Sequence, residues 1–460
     1  MIDISVRENI ELKGKTVAVI GAGKSGAAAA RLLIKKEANA LLSDQNESPL
    51  LTKDLSELER LGVAMEFGGH SEKIFEADMM VVSPGVPQDA DAIRCASEKE
   101  IPVVSEVELA SWFTDLPIVA VTGSNGKTTT TTMLAEMCTR GKFNPFLAGN
   151  IGIPFSETVT STLETRPEKG IHILEISSFQ MEHIRHFHPK VAVLLNLTAD
   201  HLDRYPTVDD YAAAKMRIME NMTADDTVIF NSDDSQLSAM IHTTAQLIPF
   251  SLAGHSDSLF SVNETKIYDG ADEILIYKKD VSLPGVHNLT NFLAAATACR
   301  LLGVTVEAIG KVMQTFSGVP HRLEYILTLD GVDYYNDSKA TNIDSVKVAL
   351  DSFPGPVILI MGGRDKGANF RELHPYLAGK VKRIIVLGEA ADRIQESLSP
   401  IPPSTRAHSL DSAVSLAHDY SQSGDTVLLA PGCASFDMFT NFEERGDTFK
   451  QAVNALESQQ

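Results

Sequence analysis

From residue 15 to about 113, short apolar runs alternate with stretches whose apolar residues recur every three to four positions. "KTVAVI", "NALLSD" and "ADMMVVSPG" read as buried strands, and "SGAAAARLLIKK" reads as a crossover helix. That rhythm predicts a parallel sheet flanked by helices. It restarts at "LPIVAVTG" and continues through "IHILEISS", "VAVLLNLTADH" and "DTVIFNSDD" to "TFSGVPHR". It restarts again with "PVILIMGG", "KRIIVLGE" and "DTVLLAPG", each a strand ending in turn glycines or a turn proline. The expectation is an α/β chain of three domains, 1–114, 115–318 and 319–460, with linkers near Asp115 and Gly318. Open sheets of this kind bind ligands where the strands end.

At 460 residues the chain is long enough for about three cores. A composition 43% hydrophobic and 22% charged is that of an ordinary globular enzyme. The net charge of -21 argues against a bulk electrostatic grip on nucleic acid or anionic lipid, so an anionic ligand needs a local basic pocket. The charged start "MIDISVRENIELKGK" and the absence of a long apolar stretch predict a cytoplasmic chain without membrane insertion. Cys95, Cys138, Cys299 and Cys433 form no C-x-x-C pair and read as four buried thiols rather than a disulfide framework or zinc site.

The stretch "AVTGSNGKTTTTTML" places a turn between a strand and a helix start. Backbone amides in such a turn and the positive end of the helix favour a phosphate. Lys127 supplies a point charge and Thr128 a hydroxyl for magnesium, in the manner of a P-loop, with Gly123, Ser124, Asn125, Gly126 and Thr129 completing the cradle. The usual pattern has glycine where Val121 stands, so Gly123 and Gly126 carry the turn. A nucleoside triphosphate is the expected ligand.

Glu175, inside the apolar "IHILEISS", reads as a magnesium ligand or as a strand-edge glutamate, and the residues leave both open. His201 follows the strand in "VAVLLNLTADH", where catalytic groups gather. In the next helix Thr207 and Asp210 predict a capping box, and Val208, Tyr211, Ala212, Lys215, Ile218, Met219 and Met222 predict one apolar stripe. A lysine in that stripe either snorkels to water or, desolvated, serves as nucleophile, base or modified residue.

Near the start, Gly21, Gly23 and Gly26 of "GAGKSG" follow a strand and open a helix, with Asp44 at the end of the next strand. This is a Rossmann-like fingerprint that suits NAD or another diphosphate-bearing ligand. A dehydrogenase leaves Lys127, Glu175, His201 and Lys215 without a role. A P-loop switch or transport ATPase predicts nucleotide turnover needing no further substrate.

Taken together, "TGSNGKTT", "LEISSFQ", "NLTADHLDRY" with "YAAAKMR", "GVHNLTN", "GVPHRLE", "YNDSKATN", "GGRDKG" and "APGCASFDMFTNFEERGDTF" resemble the Mur ligase family over nearly the whole chain. Within it, the resemblance is to ligases that add D-glutamate to UDP-N-acetylmuramoyl-L-alanine. It implies a Rossmann-like N-terminal domain for the UDP moiety, a central P-loop-type ATPase domain, and a Rossmann-like C-terminal domain. The implied cofactors are ATP and Mg2+, and the implied state is a monomer acting on small molecules.

Residue by residue, the resemblance implies that Glu175, His201 and Lys215 hold magnesium, Lys215 as a carbamate. Asn288 and Asn291 fall near adenine, Arg322 faces the terminal phosphate, and Asp337 and Lys339 contact nucleotide. Lys24, Ser25, Asp44 and Ser83 fall on the UDP side, with Asn150 closer to the reacting end. Thr341, Lys366, Ser435 and Phe442 fall on the D-glutamate motifs. "SDQN" departs from an arginine-bearing pattern of some relatives at the uridine, where Lys24 stands as the available charge. Folylpolyglutamate synthases share the core but lack such a first domain. Ligases adding diaminopimelate or lysine carry an Asp-Asn-Pro-Arg motif absent here.

Overall fold

Five consecutive β-branched, small or aliphatic residues, Thr16–Ile20, form the first strand, and its register neighbours explain why it is apolar throughout. It pairs in parallel with Asn39–Asp44 on one side and Met79–Val82 on the other, so both its edges are hydrogen-bonded, while Val17 and Val19 enter one core and Ala18 and Ile20 another, so both its faces are covered. Ala64–Phe67 and Val103–Ser105 extend this sheet to five parallel strands in the spatial order three-two-one-four-five. In this computed structural model the described residues are 2–47, 52–198, 204–270, 273–283, 285–365, 367–400 and 402–457.

A second parallel sheet has six strands. Ile118–Thr122 lies between Val191–Leu194 and Gly170–Glu175, with Asn144–Gly149 beyond the latter, and Thr227–Asn231 and Gln246–Phe250 beyond the former. Helix Lys24–Lys35 of the first sheet packs against helix Phe155–Thr165 of the second, and Arg31 pairs with Asp54 and Glu57. The apolar core is continuous from Val17 and Leu32 through Ala120 and Phe155 to Ala192. These two sheets accordingly fall in one compact unit, Met1–Asp280 with Thr290–Gln314.

That unit also holds an antiparallel meander, Phe260–Val262, Lys266–Asp269 and Glu273–Tyr277, which the alternation of strands and helices did not anticipate. Asn263 closes its first turn, its side-chain oxygen accepting from the Thr265 and Lys266 amides at 2.9 and 2.8 Å.

The other unit comprises Val281–Leu289 and Thr315–Gln460. Its sheet runs Glu324–Leu329, Val332–Asn336, Thr426–Leu429, Val357–Gly362, Val381–Leu387, Ser404–Arg406. The first pair is an antiparallel hairpin turning on Asp330 and Gly331, both at positive φ, and the remaining pairings are parallel.

Three of the four cysteines are buried, but Cys95 is partly exposed, which corrects the expectation of four buried thiols. It lies on the amphipathic helix Asp91–Glu98, whose buried residues are Ala92, Ile93 and Ala96. Among the described residues no helix is long and apolar enough to cross a membrane.

Candidate active site

Val121 can stand in for the usual glycine because strand Ile118–Thr122 runs on through it, fully buried, and the chain bends only at Gly123, φ +154°. A Cβ at Gly123 would lie 2.9 Å from Leu195 Cβ. Gly126, φ +85°, is the N-cap of helix Lys127–Arg140, and a Cβ there would come within 2.2 Å of Asn291 Oδ1. Both glycines are therefore fixed by conformation and by close approach.

The strand end Leu194–Thr198 holds this loop from one side. The Ser124 and Asn125 amides donate to the carbonyl and side-chain oxygens of Asn196 at 3.0 and 2.8 Å, and Ser124 Oγ donates to the Thr198 carbonyl at 2.9 Å. Tyr211 donates its hydroxyl to Ser124 Oγ at 3.2 Å. Lys127 Nζ donates to the Gly123 and Ser124 carbonyls at 2.8 and 2.9 Å. Thr128 and Thr129 are buried on the first turn of the helix.

Glu175 ends an internal strand and is only 2% exposed, which sets aside the strand-edge reading. Thr128 Oγ1 donates to its Oε2 at 2.7 Å, and Asn150 Nδ2 to its Oε1 at 3.0 Å. Asn150 also donates its amide to the Glu175 carbonyl at 2.8 Å, so a residue expected on the substrate side is tied to the loop threonine through one carboxylate.

Lys215 is 2% exposed, which rules out snorkelling. Of the expected stripe, Tyr211, Ala212, Ile218, Met219 and Met222 are buried with it, whereas Val208, at the first position of the helix, is only partly buried. Lys215 Nζ donates to the Gly123 carbonyl at 2.9 Å and lies 4.6 Å from the centre of the Tyr211 ring. The helix begins as expected at Thr207, whose Oγ1 accepts from the Asp210 amide at 3.1 Å. The reciprocal half of the box differs: the Asp210 carboxylate takes the Thr207 hydroxyl, because an aspartate is one methylene shorter than the glutamate that reaches back to the cap amide. His201 lies outside the described residues, and among those described no group of three His, Cys, Asp or Glu could hold a metal.

At the first sheet, Gly21 has φ +90°, and a Cβ on Gly26 would sit 1.9 Å from the Gly21 carbonyl oxygen. Ser83 Oγ donates to that same oxygen at 2.7 Å. Asp44 turns back into the glycine turn: Ala22 donates its amide to Oδ2 at 2.6 Å and Asn46 its amide to Oδ1 at 2.8 Å. Lys24 is exposed and Ser25 half-buried on the first helical turn.

In the other unit, burial raises the Asp337 carboxyl to about 7, opposed by the nearby Arg322, the Leu323 amide and Lys339. Burial also pushes His287 down to about 4, with Arg322 adding to the effect. The Arg322 guanidinium thus lies in reach of both groups. Lys339 Nζ is 5.9 Å from the centre of the Phe442 ring, and Ser338 Oγ donates to the Phe442 carbonyl at 2.8 Å. Thr341 donates its amide to the Lys339 carbonyl at 2.9 Å. Ser435 and Asn288 are buried, and Lys366 lies outside the described residues. Sequence reasoning passed over Arg445, buried behind this group, which donates to Ser338 and to the Cys433 carbonyl.

Three family models match the chain in order: Mur ligase MurD-like, N-terminal domain, over residues 15–105; Mur ligase middle domain, over 121–299; and Mur ligase, glutamate ligase domain, over 321–433. The chain belongs to the Mur ligase family. Among curated Mur ligases, it is similar to the UDP-N-acetylmuramoylalanine–D-glutamate ligase of Acidobacterium capsulatum, 42% identical with 97% of each chain covered. The ligase of that name from Geobacter sp. strain M21 is 41% identical, with 97% of this chain and 99% of its own covered. Among solved Mur ligases, the MurF ligase from Thermotoga maritima, in complex with ADP, has the same fold, at TM-score 0.60 and 17% identity over 91% of this chain and 95% of its own.

Proposed function

We propose that this Mur ligase joins the amine of D-glutamate to the carboxylate of UDP-N-acetylmuramoyl-L-alanine, using ATP and passing through an acyl phosphate. The observation that carries the nucleotide chemistry is the bond from the loop hydroxyl of Thr128 to the buried carboxylate of Glu175. The choice of substrates rests on the names of relatives more than 40% identical over nearly their whole length.

A carboxylate is a poor acyl donor because its leaving group is oxide. In the first step one of its oxygens bonds to the terminal phosphorus of ATP while the bond to the bridging oxygen breaks and ADP leaves. In the second step the amine nitrogen attacks the acyl carbon, phosphate departs with that oxygen, and the amine gives up a proton. The chain's task is to hold two anions together and neutralise them.

In this reading the amides from Gly123 to Thr129 and the ammonium of Lys127 cradle the phosphates. Asn288 and Asn291 serve the adenine, Arg322 the terminal phosphate, and Asp337 and Lys339 the nucleotide. Thr128, Glu175, His201 and a carbamylated Lys215 would hold Mg2+; the described donors fit, since the buried Glu175 oxygens and the Thr128 hydroxyl are hard oxygen ligands. The ion, when bound, supplies charge neutralisation between phosphate and carboxylate. Lys24, Ser25, Asp44 and Ser83 serve the UDP moiety, with Asn150 toward the reacting carboxylate, and Thr341, Lys366, Ser435 and Phe442 serve D-glutamate. The functional division is 1–114, 115–318 and 319–460.

Substrate labelled with oxygen-18 in the L-alanyl carboxylate tests the route. One labelled oxygen should appear in the released phosphate. Label retained wholly in the product amide and water would rule the acyl phosphate out.

A further inference from the structure

Arg204 reaches across from the central sheet to the turn that follows strand Met79–Val82. Its Nη1 and Nη2 donate to the Pro84 and Val86 carbonyls at 3.1 and 2.9 Å. Its other donors grip Glu182: Nε donates to Oε1 at 3.1 Å and Nη2 to Oε2. The guanidinium also lies over the Phe179 ring, 4.2 Å from its centre. The side chain is 16% exposed and that of Glu182 only 1%. One planar fork thus binds a carboxylate and two carbonyls, a geometry a lysine cannot reproduce.

Both ends of this strut lead to functional loops. On the first-sheet side, Val86 donates its amide to the Ser83 carbonyl at 3.0 Å, and Ser83 Oγ holds the carbonyl of Gly21 in the glycine turn. On the central side, Tyr205 donates its hydroxyl to Glu182 Oε1 at 2.6 Å and packs against Tyr211, which bonds Ser124 of the phosphate loop. We infer that Arg204 is a positioning residue for the UDP-bearing substrate: it fixes the Ser83–Val86 turn, and through it Gly21, against the sheet that carries the phosphate loop. The inference rests on the proposed function for the identity of the ligand at that turn. It acts through the backbone, since every bond from Arg204 to the first sheet ends on a carbonyl.

The test uses the full chain with Arg204→Ala and Arg204→Lys, assayed well below the melting temperature of each. The Michaelis constant for UDP-N-acetylmuramoyl-L-alanine should rise about tenfold or more in both variants, while that for ATP stays within about twofold. Lysine should not restore it. An unchanged constant for the UDP substrate, or equal rises for both substrates, overturns the inference. A wild-type chain without D-glutamate-dependent turnover would instead overturn the proposed function. In that case amide exchange at Ser83, Gly85 and Val86 still decides: faster in Arg204→Lys supports the strut, and unchanged overturns it.

Discussion

Lys127 and Lys215 share an acceptor: both amines donate to the carbonyl oxygen of Gly123, at 2.8 and 2.9 Å. One belongs to the phosphate loop and the other to the helix Val208–Met216, and Lys215 is almost wholly buried. Two ammonium groups on one oxygen repel each other. The carbamate proposed for Lys215 would relieve that repulsion, since a neutral amine adds carbon dioxide and becomes an anion. Lys215→Ala should lower turnover about 100-fold, and added short carboxylates should restore part of it. Wild-type turnover in the variant would contradict the carbamate.

The Thr128–Glu175–Asn150 relay depends on a carboxylate with two accepting oxygens. Glu175→Gln keeps the shape but only one accepting oxygen: with that oxygen toward the Asn150 amide, the new NH2 faces Thr128, whose hydroxyl must turn to accept and gives up its bond to a carboxylate. Losing a hydrogen bond to a charged group costs about 1.5–3 kcal/mol. The expected result is a lower melting temperature together with a raised magnesium requirement in steady-state assays. An unaltered magnesium dependence would remove Glu175 from the metal site.

Gly126→Ala introduces a Cβ at φ +85° and 2.2 Å from Asn291 Oδ1. Either the loop or helix Val286–Leu301 must shift. The Michaelis constant for ATP should rise about tenfold or more, and the constant for the UDP substrate should change far less. Equal changes in the two would show a general loss of structure.

Glu106 provides a pH prediction away from the chemistry. It is 1% exposed, burial raises its carboxyl to about 7, and the Ser156 amide donating to Oε1 at 2.6 Å opposes the shift. Its Oε2 is buried without a hydrogen-bond partner among the described residues. With the folded value above the unfolded one, the folded chain holds the proton longer. This contribution is fully present below about pH 4 and is lost as pH rises through about 7, on the order of 3 kcal/mol in all. Glu106→Gln should therefore raise the melting temperature at pH 8 relative to wild type and change it little at pH 5. The same difference at both values would contradict a titrating Glu106.

The parts of this molecule that sequence made legible are those where a residue type is forced. Gly123, Gly126, Gly21 and Gly26 sit at positive φ or where a Cβ meets neighbouring atoms, and Lys215 stood out as a charge in an apolar stripe. The meander over residues 260–277 was missed because its strands are short and half exposed, although Asn263 and the "DG" at Asp269–Gly270 are turn signals. Glu182 and Arg204 were passed over for another reason. They lie 22 residues apart and are joined only by the fold, so no local pattern links them. The continuous core of the first two sheets is likewise tertiary information, since each stretch of sequence carries the apolar faces of its own elements and not what covers them.

The most direct measurement is phosphate release from ATP and magnesium in the presence of UDP-N-acetylmuramoyl-L-alanine and, in turn, D-glutamate, L-glutamate, L-alanine and L-lysine. Release that requires the UDP substrate and occurs with D-glutamate alone among the four is the predicted result. Release indifferent to both substrates, or equal with L-glutamate, would contradict the account.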